Sequence, residues 1–210
     1  FLWTNSMLET NNSTDIPSSI SIIKAPFPLV SVEGLYTEDE IFLIHQELDY
    51  LHTSGKLKSM GTGGNSDILN RTGAWINDVF KEPEHSSIHN VSRKILELVK
   101  HIRTDEWFFS NMEVSSDSIL VSYYTDGSHY GAHRDLSSIT ALYWTHKEPK
   151  GFSGGELHFP DHNITLPTIK GKVLLFPSCI PHEVLKVHQT EKDDVHNKYG
   201  RYTITNFMSL

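Results

Sequence analysis

The residues best placed by type and spacing to hold a metal ion in this 210-residue chain are His133, Asp135 and His182. In an extended strand, residues i and i+2 face the same side. His133 and Asp135 therefore offer an imidazole and a carboxylate to one ion, and His182, at the start of a second strand-like segment, supplies a third corner. Two histidines and a carboxylate on one face of an octahedron form the ligand set of non-haem iron(II) sites and leave three positions open. The pair alone carries little weight. With 13 histidines and 12 aspartates in the chain, chance gives about 0.7 His-x-Asp matches, so the surroundings must decide.

Such ligands need a rigid scaffold, and the C-terminal half reads as one. Segments 118–124, 139–145, 155–159, 172–177, 183–187 and 201–207 read as strands punctuated by Gly, Pro, Asp and Asn. Many short strands at even spacing predict an antiparallel barrel or jelly roll. Upstream, Thr37-Glu38-Asp39-Glu40 is a capping box. It opens a helix to about Leu51, with Ile41, Ile44, Leu48 and Leu51 on one face. A second helix follows Ser86 or Ser87, where Ile88, Val91, Ile95, Leu98 and Ile102 form an amphipathic stripe. Segment 19–32 reads as one or two short strands, 54–65 as a Gly-rich loop, and 1–17 as a loose polar tail. The expected organisation is that tail followed by one domain over 18–210. Its helical support covers about 18–117 and its β core about 118–210, giving an α+β, mainly β fold.

Composition narrows the partners. The net charge is −8 with no basic stripe, which argues against a nucleic-acid partner. No stretch approaches the roughly 18 apolar residues needed to span a bilayer. No signal peptide is evident, and Cys179 is the single cysteine, which suits a reducing compartment. A soluble, cytoplasmic protein is the expectation. The chain opens on Phe1 rather than Met, so a natural start further upstream is also expected. Composition says nothing about oligomeric state.

The surroundings of the metal candidates are specific. The run from Tyr123 to Asp135, with Tyr124, Gly127, Tyr130, His133 and Asp135 in ungapped order, resembles the prolyl 4-hydroxylase-like Fe(II)/2-oxoglutarate-dependent dioxygenases. So do Gly154-Gly155-Glu156-Leu157, the strand 171–178, His182-Glu183-Val184 and Gly200-Arg201-Tyr202-Thr203-Ile204-Thr205. Arg71-Thr72-Gly73-Ala74-Trp75-Ile76 is a weaker match. The resemblance implies a double-stranded β-helix (jelly roll) on N-terminal helices. It implies Fe(II) held by His133, Asp135 and His182, with 2-oxoglutarate and dioxygen as co-substrates and ascorbate as an accessory reductant. Arg201 would pair bidentately with the distal carboxylate of 2-oxoglutarate, assisted by Tyr124 and Thr203. The implied reaction is hydroxylation of a C–H bond, of a prolyl residue in a peptide or protein, or alternatively of a free amino acid or other small molecule.

One departure stands out. The stretch between His182 and Arg201 is longer than in that family, and the extra residues, 186–199, are polar and charged. They read as a solvated hairpin, with a role in covering the entrance as the functional alternative and Lys198 as a substitute carboxylate contact. His129 is a minor candidate for touching co-substrate, and Tyr143 and Trp144 for walling the pocket. Readings from other classes are a cupin-like metal-binding module without oxygenase activity and a zinc hydrolase. The module has no need of Arg201 and Tyr124, and the hydrolase lacks a persuasive base beyond Glu156 or Glu183. Nucleobase demethylation fits the acidic charge poorly.

Overall fold

The structure is a computed structural model that describes residues 6–7, 19–60, 68–102, 108–109, 113–194 and 198–210. Apart from residues 6–7, the segment read as a tail lies outside them. The chain begins with β1 (Ser6–Met7), β2 (Ser19–Ile23) and β3 (Leu29–Glu33), then α1 (Glu38–Thr53), β4 (Lys58–Ser59), β5 (Ile68–Trp75), the one-turn α2 (Ile76–Val79) and α3 (Ser87–Ile102). The β core follows as β6 (Ser116–His133), β7 (Ile139–Thr145), β8 (Phe152–Gly154), β9 (Leu157–Phe159), β10 (Ile164–Leu166), β11 (Val173–Pro177), β12 (His182–Val184), β13 (Val187–Gln189) and β14 (Arg201–Ser209). Strands β8 and β13 form a small separate pair; the rest make one curled antiparallel sheet ordered β1-β2-β3-β11-β7-β14-β6-β12-β9-β10, with β5 also on β6. This is the double-stranded β-helix expected of the sequence. The region read as helical support also contributes β2, β3 and β5 to the sheet.

Helix α1 starts where the capping box predicts. Thr37 Oγ1 accepts the Glu40 N–H, and Glu40 Oε2 accepts the Thr37 N–H at 2.8 Å. Ile44, Leu48 and Leu51 of α1 and Ile88, Val91, Ile95, Leu98 and Ile102 of α3 are buried against Val121, Tyr143, Val173, Leu175 and Ile204 on the outer face of the large sheet. Each such side chain contributes roughly 1.5–3 kcal/mol. Glu47, 8 % exposed, reaches from α1 to the start of α3, where it accepts the Ser86 hydroxyl at 2.6 Å and the Ile88 N–H at 3.1 Å. A carboxylate there satisfies a donor that the helix leaves open and suits the positive end of its dipole. The inner face is closed by Phe27, Leu142, Trp144, Leu157, Phe159, Leu174 and Phe176.

The 18-residue strand β6 joins the two walls of the barrel. Its first part pairs with β14 (Tyr124 opposite Arg201, Ser116 opposite Ser209), and its last part pairs with β12 (Tyr130 opposite Val184, His133 opposite His182). Between them it bends at Gly127, whose φ of +77° lies in the left-handed region that a glycine adopts without strain.

Candidate metal and co-substrate site

Strand pairing places His133 and His182 directly opposite one another, with ring centroids 4.4 Å apart. Asp135 lies two residues past the end of β6, in the link to β7, rather than within a strand as the His-x-Asp spacing suggested. Its backbone N–H donates to Ser178 O at 3.1 Å, which turns the carboxylate back towards the histidines. One Asp135 oxygen stands 3.4 Å from His133 Nε2 and the other 3.4 Å from His182 Nε2. The three ligand atoms lie within 4.8 Å of one another.

Each side chain is held from behind. His133 Nδ1 lies 2.9 Å from Gly131 O, and His182 Nδ1 lies 2.9 Å from Ile180 O. Donating Nδ1–H to a carbonyl fixes the tautomer that leaves Nε2 as the free ligand atom. Asp135 Oδ2 accepts the Thr140 hydroxyl at 2.5 Å, and Thr140 and Ser137 both bond the Ser178 hydroxyl at 2.8 Å. Burial alone would raise the Asp135 carboxyl, but its bonds to His133, His182 and Thr140 outweigh that and hold it well below the usual carboxylate range. Tyr130 stacks on His133, centroids 3.7 Å apart and planes at 16°.

The triad opens onto a cavity of about 260 Å³, also lined by Arg71, Trp75, Tyr124, Tyr130, Arg201 and Thr203. Arg201 is fully buried; its Nη1 donates to Thr203 Oγ1 at 2.5 Å, and its guanidinium lies 4.9 Å from the Tyr124 ring centroid. Its Nε and Nη2 have no partner among the described residues. Burial lowers its pKa to about 10, opposed by Tyr124, so it is cationic at neutral pH. A buried cation with two unsatisfied donors is costly by itself and fits a carboxylate entering from the cavity. A triad at one end and an unpaired guanidinium at the other thus suit a metal-chelating dicarboxylate.

Every residue read from the sequence as a site residue (His133, Asp135, His182, Arg201, Tyr124 and Thr203) lines this one cavity. The secondary candidates do not. Lys198 donates to Asp194 O at 2.7 Å. Tyr143 packs on the helix side, Trp144 lines a separate inner-face cavity, and His129 is absent from the lining. Neither Glu156 nor Glu183 lines it. The described residues of the insertion line neither the cavity nor the groove beside the triad. Ser116, Ser209, Arg134 and Leu136 line the outer groove beside the triad, whereas Gln189 and Asp193 bond to Asp126 and Tyr123, next to Arg201. The described part of the insertion is therefore tied to the Tyr123–Asp126 stretch of β6.

Arg71 went unrecognised as a site residue. On β5 opposite Tyr124, it donates from Nη1 to the Tyr124 hydroxyl at 3.3 Å, lies 4.5 Å over the Tyr130 ring, and has an Nε with no partner among the described residues. An arginine two residues before a glycine, in a stretch resembling the dioxygenases, was the available signal.

Comparison with known proteins agrees with this geometry. Residues 119–209 match the model of the 2OG-Fe(II) oxygenase superfamily. An uncharacterised PKHD-type hydroxylase from Synechocystis is 27 % identical over 128 residues, covering 52 % of this chain and 41 % of that protein. The match therefore spans about two fifths of the relative's length. Among solved structures, the Trichoplax adhaerens prolyl hydroxylase in complex with a hypoxia inducible factor peptide fragment superposes with a TM-score of 0.66 at 19 % identity. That superposition covers 86 % of this chain and 83 % of the other. A Pseudomonas putida prolyl-4-hydroxylase gives 0.60 at 16 % identity over 86 % and 91 %. These likenesses establish the shared fold.

Proposed function

With residues 119–209 matching the model of the 2OG-Fe(II) oxygenase superfamily, we propose that this chain is an Fe(II)/2-oxoglutarate-dependent dioxygenase that hydroxylates a prolyl residue in a peptide. The observation that carries the reading is the pairing, in one cavity, of the His133/Asp135/His182 triad with a buried Arg201 whose Nε and Nη2 have no partner among the described residues. When bound, iron(II) with dioxygen and 2-oxoglutarate supplies the oxidant for the C–H bond, and 2-oxoglutarate leaves as succinate and carbon dioxide. The protein's part is to bind, orient and shield. His133, Asp135 and His182 would hold the metal by one face, their free atoms already converging. Arg201 and Thr203 would take the distal carboxylate, with the Tyr124 hydroxyl as a further donor fixed by Arg71. Buried walls at Leu120, Leu142 and Leu157 exclude water from the reacting end.

A peptide is favoured by the outer groove. It encloses about 510 Å³ beside the triad, with the Trp75 and Phe207 rings 5.6 Å apart on one side and a fully exposed Leu136 on its rim. A groove of that size, in which these apolar side chains alternate with Ser116, Asp117, Ser118, Arg134, Ser137 and Ser209, offers both side-chain contacts and hydrogen-bond partners to an extended chain. Arg71 supports a second reading, a free amino or carboxylic acid. It offers the same cavity a second guanidinium with an unpartnered donor. Succinate release and a mass gain of one oxygen, measured across proline-containing peptides and free amino acids, decide between them. Peptide turnover that survives Arg71→Gln supports the first reading. Turnover confined to free acids and lost in Arg71→Gln supports the second. Absence of 2-oxoglutarate turnover with every substrate, and without one, sinks both.

A further inference from the structure

Among the described residues, none of the insertion at 186–199 belongs to the metal-ligand group, yet its hydrogen bonds converge on the backbone beside Arg201. Tyr123 is 2 % exposed. Its hydroxyl lies 2.8 Å from each carboxylate oxygen of Asp193 and accepts the Gly200 N–H at 2.8 Å. Gly200 directly precedes Arg201, and Tyr123 directly precedes Tyr124. Asp193 also accepts Gln189 Nε2 and the Tyr199 N–H, each at 2.9 Å. Gln189 closes a reciprocal pair with Asp126, at 2.8 Å to the Asp126 N–H and 3.0 Å from its own N–H to Asp126 Oδ1.

The same region leaves no slack around the guanidinium. A Cβ on Gly155 would lie 2.7 Å from Arg201 Cδ and 2.9 Å from Val187 Cγ2. A Cβ on Gly200 would lie 2.3 Å from Tyr124 O and 2.7 Å from Tyr123 Cζ. Both distances are too short for any side chain, so Gly155 and Val187 wall Arg201 from outside while Gly200 sits flush against β6. A carboxylate suits the hub because it is acceptor-only with room for several donors, and three donors meet Asp193 here.

We propose that Asp193 is a positioning residue for the 2-oxoglutarate anchor. Through the Tyr123 hydroxyl it fixes Gly200, and with it the point at which Arg201 enters the barrel. With Arg201 so fixed, tight binding requires a distal carboxylate at its guanidinium. This inference rests on the reading of Arg201 given above.

The test is calorimetric binding of 2-oxoglutarate, pyruvate and oxalate to the Mn(II)-loaded protein. Pyruvate and oxalate carry metal-chelating oxygens but no distal carboxylate, so they report on the metal end alone. Asp193→Asn keeps the shape and replaces an acceptor by a donor. Tyr123→Phe removes the hydroxyl from the other side and stands in if the first variant does not fold. Each should weaken 2-oxoglutarate by about 5-fold, which corresponds to roughly 1 kcal/mol, and leave pyruvate and oxalate unchanged. Unaltered 2-oxoglutarate affinity in both variants overturns the proposal, and so does an equal loss for all three acids. Failure of the underlying reading looks different. Wild type would then bind 2-oxoglutarate no better than pyruvate, Arg201→Ala would alter neither, and both conclusions fall together.

Discussion

The two ends of the cavity are built on opposite principles. At the metal end the polar atoms already have partners: two imidazoles donate to carbonyls two residues back, and the carboxylate rests on Thr140 and on both rings. At the other end a fully buried guanidinium keeps two nitrogens without a partner among the described residues. The first is organised before any ligand arrives. The second is completed only by one, so its cost to the ligand-free fold is recovered on binding.

The largest expected effect tests the organised end. His133→Ala or His182→Ala leaves two ligands, so metal-dependent turnover and stoichiometric metal binding should vanish while far-ultraviolet circular dichroism stays native. Retained activity in both variants would remove the triad from the mechanism. Next comes the incomplete end. Arg201→Ala should weaken 2-oxoglutarate by about 10- to 150-fold, the equivalent of losing roughly 1.5–3 kcal/mol of charge-assisted bonding. Arg201→Met should raise the melting temperature of the ligand-free protein, because an apolar isostere replaces an unpaired buried charge. A lower melting temperature would mean that the anchor is not a stored cost. Thr140→Val, which removes the hydroxyl under Asp135, should lower metal affinity about tenfold, as loss of an orienting partner typically does. Unchanged affinity would show that the carboxylate is oriented by the histidines alone.

The smallest effect lies outside the cavity. Burial holds the pKa of both His45 and His52 down to about 4, helped by Lys170 and Lys198 respectively. The unfolded chain protonates these rings near 6.5, so between pH 6.5 and 4 the unfolded state binds more protons. Stability is then fully present above that window and falls as pH drops through it. Melting temperatures across this range should decline less steeply in a His45→Gln/His52→Gln variant; identical slopes would assign the acid sensitivity elsewhere.

What the sequence disclosed followed local chemistry. His133 and Asp135 are neighbours, His182 opens a strand after a turn, and the capping box and apolar stripe announce α1 and α3. What it hid depended on pairing between distant strands. Residues 125–128 look like a turn, so β6 was legible only as residues 118–124. In the fold the Thr125 N–H donates to Ser128 Oγ at 2.9 Å and the strand then continues to His133. Strand β5 was not foreseen, because Asn70-Arg71-Thr72-Gly73 lacks alternating polarity. Its pairing with β6 makes it a strand and brings Arg71 into the cavity. The rim at which the insertion emerges was likewise unreadable, since hairpins of a jelly roll leave from either end.

Strand β6 carries one more consequence. The residues it sends into the cavity are Leu120, Ser122, Tyr124 and Tyr130, all even-numbered, and then His133, which is odd. The change falls where the pairing with β12 slips between His182 and Val184. The strand's register also slips against β5 between His129 and Tyr124, and the later slip lets Tyr130 and His133 point inward together and stack. Length between Tyr124 and His133 is therefore a counted quantity. Side chains there can be exchanged one at a time, but one residue gained or lost would put the two ends of the cavity out of step.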